Sequence, residues 1–233
     1  MGPGDAHPGR RTRGHHRGPP RLRRVPRAAG RAHLRPAHDV GRVRRLLRGP
    51  GTRPPHVAGN SLGGLLALEL GREKLVRSVT ALSPAGFWNE TERRYAFGIL
   101  LTMRHIARRM PLSLVERLSR STAGRTALTS TIYARPGRRS PEAVVAETLA
   151  LAGATGFDDT LRAGGSVLFT DDVPGIPITV AWGTRDWLLV PRQGVRAKRI
   201  IPGARLVRLP GCGHCPMNDD PALVARVILD GSR

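Results

Sequence analysis

Apolar residues after position 54 change from the spacing of a strand to that of a helix and back again. Residues 56–59 form a short apolar run, residues 62–72 carry good helix formers without a breaker, and residues 75–83 are rich in β-branched side chains. Short apolar runs of this kind are typical of strands buried in a parallel sheet. The order strand, helix, strand predicts a right-handed parallel crossover.

The same pattern returns near the C-terminus. Apolar runs predict strands at 177–183 and 204–209, with a helix at 191–200 between them. A terminal helix is predicted at 221–229, opened by Asp219 or Asp220, because aspartate accepts a hydrogen bond from the first free backbone amides of a helix. These elements extend the predicted parallel sheet.

Residues 87–165 show no strand pattern and instead predict helices. Apolar side chains recur at helical spacing over 95–110, where Pro111 ends the pattern, and further helices are expected at 112–120 and 141–152. A helical insertion between two strands of a parallel sheet is expected to lie over the sheet's edge as a cap. The sequence therefore predicts an α/β fold with a helical cap at about 87–165.

The first 53 residues have a different composition from the rest. They use only ten residue types and contain 15 arginines against two acids, with no serine, glutamate, lysine, isoleucine or aromatic residue. So little apolar surface cannot offset the entropy of ordering, so we expect a disordered Arg-rich segment with at most a short helix near 40–47. It could be an arm that binds nucleic acid, a targeting peptide, or sequence from an out-of-frame or mis-called start; we favour the last interpretation. The predicted α/β core is then 54–233.

Composition excludes several classes of protein. The formal charge is +22, but only two of the 39 basic residues are lysines, which indicates a GC-rich gene as much as a basic binding surface. No run of 18 apolar residues exists, so a membrane span is not expected. Cys212 and Cys215, the two cysteines, give no disulfide framework, which favours the cytoplasm. With His214 they provide too few ligands for a structural zinc site, and no metal or cofactor is expected.

Candidate chemistry centres on Gly59-Asn60-Ser61-Leu62-Gly63, which joins a predicted strand to a predicted helix. A serine on such a sharp turn stands clear of the backbone, and the small neighbours let the turn close. The helix N-terminus presents free amides and partial positive charge. Ser61 is therefore the candidate nucleophile, and the backbone N–H of Leu62 is the candidate oxyanion donor.

Asp186 and His214 each follow a predicted parallel strand, as Ser61 does, so all three are expected at one edge of the sheet. A histidine there can take the proton of Ser61 and return it to the leaving group, while an aspartate fixes the imidazole tautomer. Taken alone, Asp186 could equally be a turn former. Asp219 and Asp220 are better explained as helix caps than as catalytic acids.

Three motifs in this order resemble the α/β-hydrolase superfamily: the Ser61 turn extended through Gly64, Trp182-Gly183-Thr184-Arg185-Asp186, and the glycine and cysteine residues around His214. The resemblance covers about 54–230 and implies a serine hydrolase that forms an acyl-enzyme on Ser61. The Ser61 turn, which we call the elbow, is most similar to the corresponding turn of esterases and of hydrolases that cleave carbon–carbon bonds in ring-fission products. It differs from haloalkane dehalogenases and epoxide hydrolases, which use aspartate at this position.

The chain also departs from the superfamily pattern. Members carry strands before the elbow and a loop, often beginning His-Gly, that donates a second oxyanion N–H. This chain contains no His-Gly dipeptide, and nothing before residue 54 predicts a strand. We therefore expect an incomplete α/β-hydrolase fold.

Three hypotheses remain. The chain is a serine hydrolase with a small-molecule ester or acyl substrate, a truncated and impaired remnant of one, or an Arg-rich nucleic-acid-binding protein, which is the least favoured. The sequence indicates neither the substrate nor the oligomeric state.

Overall fold

The computed structural model describes residues 43, 45, 47 and 53–233. The predictions for the Arg-rich segment 1–53, its disorder and its possible out-of-frame origin, therefore lie almost wholly outside the described residues. Val43, Arg45 and Leu47 are helical, and Val43 and Leu47 pack against the main apolar core.

A four-stranded parallel sheet organises the described residues. Its strands are β1 (His56–Asn60), β2 (Ser78–Leu82), β3 (Ile178–Gly183) and β4 (Arg205–Leu209), in the order β1-β2-β3-β4. Every residue of β2 and β3 is buried, as expected for strands covered on both faces. Asn60 pairs with Leu82 and Gly183 pairs with Leu209, so the strand ends meet at one edge. The predicted parallel α/β sheet is confirmed.

Helix α1 (Leu62–Arg72) follows β1 without a linker beyond Ser61. Its apolar side buries Leu65 and Leu68 almost completely against the sheet. The next strand begins three residues later than the sequence pattern predicted, because Leu75 N–H bonds to Leu70 O and so belongs to the end of the helix. Burial of this face fixes the direction in which α1 leaves the Ser61 turn.

Five helices lie between β2 and β3. They are α2 (Glu90–Arg109), α3 (Leu112–Ser119), α4 (Thr122–Thr129), α5 (Pro141–Gly153) and α6 (Phe157–Gly164). Helix α2 begins five residues before the predicted Tyr95, because the Asn89 side chain accepts from Glu92 N (2.8 Å) while the Glu92 carboxylate accepts from Asn89 N (2.9 Å). Helices α4 and α6 were not predicted. We call residues 87–165 the helical insertion.

The chain ends with α7 (Arg192–Ile200), α8 (Pro216–Asp219) and α9 (Pro221–Asp230). Asp220 caps α9 by accepting from Leu223 N at 2.9 Å, as predicted for one of the two aspartates. A smaller apolar cluster under α9 includes Leu82, Leu209 and Val224. In the described part of the chain, the helices are too short or too polar to cross a membrane.

Candidate active site

Ser61 is held in a backbone conformation that side chains rarely adopt. Its φ is 55° and its ψ is −119°, at the junction between β1 and α1. Such a conformation costs about 1–3 kcal/mol and persists only where neighbouring contacts enforce it. Here Ser61 N donates to Leu82 O (3.0 Å), and Ser61 O accepts from Leu65 N (3.1 Å) and Ala85 N (3.0 Å). These three backbone hydrogen bonds therefore hold the turn in this conformation.

Gly59 and Gly64 have no room for a side chain, whereas a Cβ at Gly63 would meet no atom within 4 Å. A Cβ at Gly59 would lie 2.1 Å from Gly63 O, far inside van der Waals contact. At Gly64 a Cβ would come within 3.0 Å of the Pro84 Cβ. The first glycine lets the strand pass close to the start of α1, and the last lets the helix pack on the loop after β2.

The N-terminus of α1 is open at the turn. The first backbone bond into the helix runs from Leu65 N to Ser61 O, and no side chain caps the helix. The Leu62 N–H precedes that bond. A free amide at a helix N-terminus adds its dipole to the partial charge of the helix, so this position favours a negative atom.

His214 and Asp186 form a buried pair at the same edge of the sheet. His214 Nδ1 donates to Asp186 Oδ2 at 3.0 Å, and the residues are 3% and 2% exposed. The other carboxylate oxygen, Oδ1, accepts from Leu188 N (3.0 Å) and Leu189 N (2.8 Å). Both oxygens are thus engaged, which fixes the carboxylate and with it the plane of the imidazole.

Asn60 connects this pair to the Ser61 turn, and its role was not predicted. Its Nδ2 donates to Leu82 O (3.0 Å) and to His214 O (2.9 Å), while its Oδ1 accepts from the Cys215 thiol at 3.4 Å. The structure thereby brings the His214 loop beside the elbow. Within residues 53–233 the Ser61 hydroxyl makes no hydrogen bond. Catalytic hydrogen bonds in ligand-free structures are often long and tighten only with substrate.

Asp219 holds the His214 loop from the other side, and the expectation that it caps α9 is wrong. It is 2% exposed, and its Oδ2 accepts from Gly213 N (2.7 Å) and Ala134 N (3.0 Å). Its Oδ1 accepts from Arg135 N at 2.8 Å. Since the N–H groups come from distant segments, no local sequence pattern marks this role. The Asp219 carboxylate joins the His214 loop to the helical insertion.

Cys212 and Cys215 are free thiols. Burial, with nearby Asp219, raises the pKa of Cys212 to about 11. Burial, with nearby Asp186, raises the pKa of Cys215 to about 12. A thiol that remains protonated at neutral pH is a poor nucleophile and a poor metal ligand. Across the described residues, no group of three or more histidine, cysteine or acidic side chains is arranged to hold a metal ion.

A family model described as "Alpha/beta hydrolase family" matches residues 8–227 of the chain. An epoxide hydrolase, EphH, from Mycobacterium tuberculosis is 27% identical over an alignment of 212 positions that covers 80% of this chain and 89% of that relative. An uncharacterized protein of the same species is 38% identical over 53 residues, or 23% of this chain. This chain covers only 16% of that protein's length.

Solved structures share the fold. A meta-cleavage product hydrolase (CumD) from Pseudomonas fluorescens superposes with a TM-score of 0.63 and 14% identity, over 88% of this chain and 74% of that one. An alpha/beta hydrolase enzyme from a Medee basin deep-sea metagenome library gives a TM-score of 0.60 and 17% identity, over 87% and 73%. At these identities the likeness concerns the fold alone.

Proposed function

The chain belongs to the alpha/beta hydrolase family, and from this premise we propose that it is a serine hydrolase that cleaves an ester or related acyl bond. One observation carries the proposal. A serine in a strained turn stands at an open helix N-terminus, and the preceding Asn60 is hydrogen-bonded to the loop of a buried histidine that is oriented by a buried carboxylate. These are the groups needed for acyl transfer, and all belong to loops at one edge of the sheet.

In the proposed reaction, Ser61 Oγ attacks the ester carbonyl carbon while Nε2 of His214 takes the serine proton. Asp186 keeps the other ring nitrogen protonated and stabilises the imidazolium. The carbonyl oxygen becomes an oxyanion that the Leu62 N–H binds. The carbon–oxygen bond of the ester then breaks, and the leaving alcohol takes the proton from Nε2. Water, deprotonated by the same nitrogen, releases the acid from Ser61 in a second, equivalent cycle.

Each oxyanion donor is worth about 10²–10³ in rate, so the Leu62 N–H alone supports a slower enzyme than a pair of donors would. An impaired enzyme therefore remains the alternative to a fully active one. A carbon–carbon bond could be cleaved by the same nucleophile, because the acyl-enzyme step differs only in the leaving group.

Epoxide opening is a second candidate because the relative named epoxide hydrolase aligns with most of this chain. The serine at position 61 favours ester cleavage over epoxide opening. The superfamily resemblance assigns an aspartate to this position in epoxide hydrolases, since their first step forms an ester from a carboxylate. The two activities are separable with one substrate each.

The test uses purified full-length protein, a fluorophosphonate probe, p-nitrophenyl acetate and styrene oxide. We expect labelling and acetate release from the wild type, loss of both in Ser61→Ala, and no change in Ser130→Ala, which alters an exposed serine of the insertion. Absence of labelling in folded wild-type protein would exclude the serine hydrolase. Diol formation from styrene oxide without ester cleavage would establish the second candidate instead.

A further inference from the structure

The helical insertion contains a cavity of about 800 Å³ whose lining comes entirely from residues 94–151. This volume lies in the range of small-molecule sites. Most of the wall is aliphatic or thioether surface, and several of its side chains remain only half-buried although they are apolar. The half-buried ones are Ile99, Leu100, Met103, Met110 and Leu118, and Ile106 is exposed.

Three hydroxyl groups of the wall are already bonded to the protein. Thr129 Oγ1 donates to Arg125 O (2.8 Å) and Thr148 Oγ1 donates to Val144 O (2.8 Å). Each threonine therefore turns its hydroxyl to its own helix. Tyr95 donates its hydroxyl to Trp187 O at 2.9 Å. These side chains leave the cavity mainly methyl and ring surface.

Charged groups of the wall are paired as well. Arg94 bonds Glu90 at 2.7 Å, and Glu147 forms an ion pair with Arg139. A ligand with its own charge would have to displace one of these partners to find a counter-ion. The cavity is therefore suited to an uncharged, apolar group, which gains free energy simply by leaving water.

The cavity wall is hydrogen-bonded to two loops of the candidate active site, the one that carries His214 and the one that carries Asp186. Ile132, in the wall, accepts at its carbonyl from Cys215 N (3.2 Å), one residue after His214. The Tyr95 hydroxyl reaches the carbonyl of Trp187, one residue after Asp186. An apolar group in the cavity would thus lie beside the loops that carry the base and its acid.

We propose that the cavity binds the hydrocarbon chain of a medium- or long-chain acyl ester. This inference rests on the proposed function and narrows its substrate class. The chain enters as the apolar half of the substrate, while its carbonyl carbon stays with Ser61. The polar groups of the wall described above are already bonded. We therefore expect the enzyme to select substrates by the length of the acyl chain rather than by polar substituents on it.

Gly98 gives a direct way to fill the cavity. It lies in α2 and lines the wall, and a Cβ placed on it would meet no atom within 4 Å. Gly98→Phe is designed to place a ring in the cavity, whereas Gly98→Ala also replaces the helix-destabilising glycine but adds only a methyl group. Gly153→Phe serves as a second control, since Gly153 also has open space around its Cβ but does not line the cavity.

The first measurement is the kcat/KM of p-nitrophenyl esters from acetate to dodecanoate. In the wild type we expect kcat/KM to rise by about fourfold per methylene while the chain still gains burial. Gly98→Phe should abolish the rise, and both controls should keep it. If Gly98→Phe does not fold, Ala107→Phe, which enters the same cavity, replaces it.

The second measurement needs no catalysis. Dodecanoate binding to Ser61→Ala is followed by calorimetry, alone and combined with Gly98→Phe, and we expect the second change to weaken binding at least tenfold. Equal binding by the two proteins would overturn the inference. So would a failure to bind at all, as expected if a second copy of the chain occupies the cavity. Binding that depends on Gly98 without cleavage of any ester would uphold the cavity and refute the proposed function.

Discussion

Replacement of Asp219 tests whether one buried carboxylate secures the loop of the proposed base. The carboxylate accepts three backbone N–H groups, from Gly213, Ala134 and Arg135, at 2.7–3.0 Å. An unpaired buried donor costs about 1–3 kcal/mol. Asp219→Asn turns one acceptor into a donor and should cost about 1–3 kcal/mol. Asp219→Ala strands all three donors and should cost at least ~3 kcal/mol.

Asp220 provides the matched control. It is the neighbouring aspartate, but it accepts only one backbone hydrogen bond, at the N-cap of α9. Asp220→Ala should cost only about 1 kcal/mol. Thermal unfolding followed by circular dichroism measures the difference. For a chain of this size about 2–4 °C corresponds to each kcal/mol, so the two alanine variants should be separated by at least ~4 °C.

The same pair distinguishes a positioning role from a purely structural one. Loosening the His214 loop by about 1 Å should slow fluorophosphonate labelling of folded Asp219→Ala by about 10²-fold. Asp220→Ala should label at the wild-type rate. Equal stability of the two alanine variants would refute the energetic argument, and equal labelling rates would refute the positioning role.

Three further outcomes are expected. Gly59→Ala should unfold at a lower temperature and lose serine labelling, since its Cβ would lie 2.1 Å from Gly63 O; a labelled variant would contradict the geometry of the turn. Burial opposes ionisation of Glu92, but hydrogen bonds from its two arginine partners outweigh it and hold the pKa of Glu92 below its ordinary value. The ionised Glu92 carboxylate therefore stabilises the fold fully above pH about 4.5, and this stabilisation is lost as pH falls below that value. The free energy of unfolding should accordingly fall less steeply with decreasing pH in Glu92→Gln than in the wild type. Cys212 and Cys215, with pKa values of about 11 and about 12, should resist iodoacetamide at pH 8 until the protein unfolds; rapid alkylation of folded protein would argue against their burial.

The sheet could be predicted because its information is local. Each strand is a short apolar run between turns, and β2 and β3 are buried on both faces as such runs imply. Chain order then places Ser61, Asp186 and His214 at one edge of a parallel sheet. The described structure brings these three loops to that edge, while their catalytic roles remain predictions.

Features that depend on distant partners could not be predicted. Helices α4 and α6 are only eight residues long, which is too short for helical spacing to be recognised from the sequence. Asp219 resembles a helix cap in sequence, and only folding brings residues 134 and 135 to it. The cavity likewise arises from how four helices pack. It could not be predicted because its wall consists of the same types of residue as an ordinary core.

Asn60 changes how the serine motif should be searched for in other chains. A pattern written Gly-x-Ser-x-Gly treats position 60 as unrestricted, yet here its amide donates across the sheet edge to two carbonyls, one of them 154 residues away. An aspartate at this position would place a negative charge against both carbonyls, and an aliphatic residue would remove the amide donor from His214 O and leave Leu82 O with Ser61 N alone. Chains that share Asn at this position and Cys after the histidine should therefore form a narrower group than the motif alone defines, recognisable by two positions that vary together.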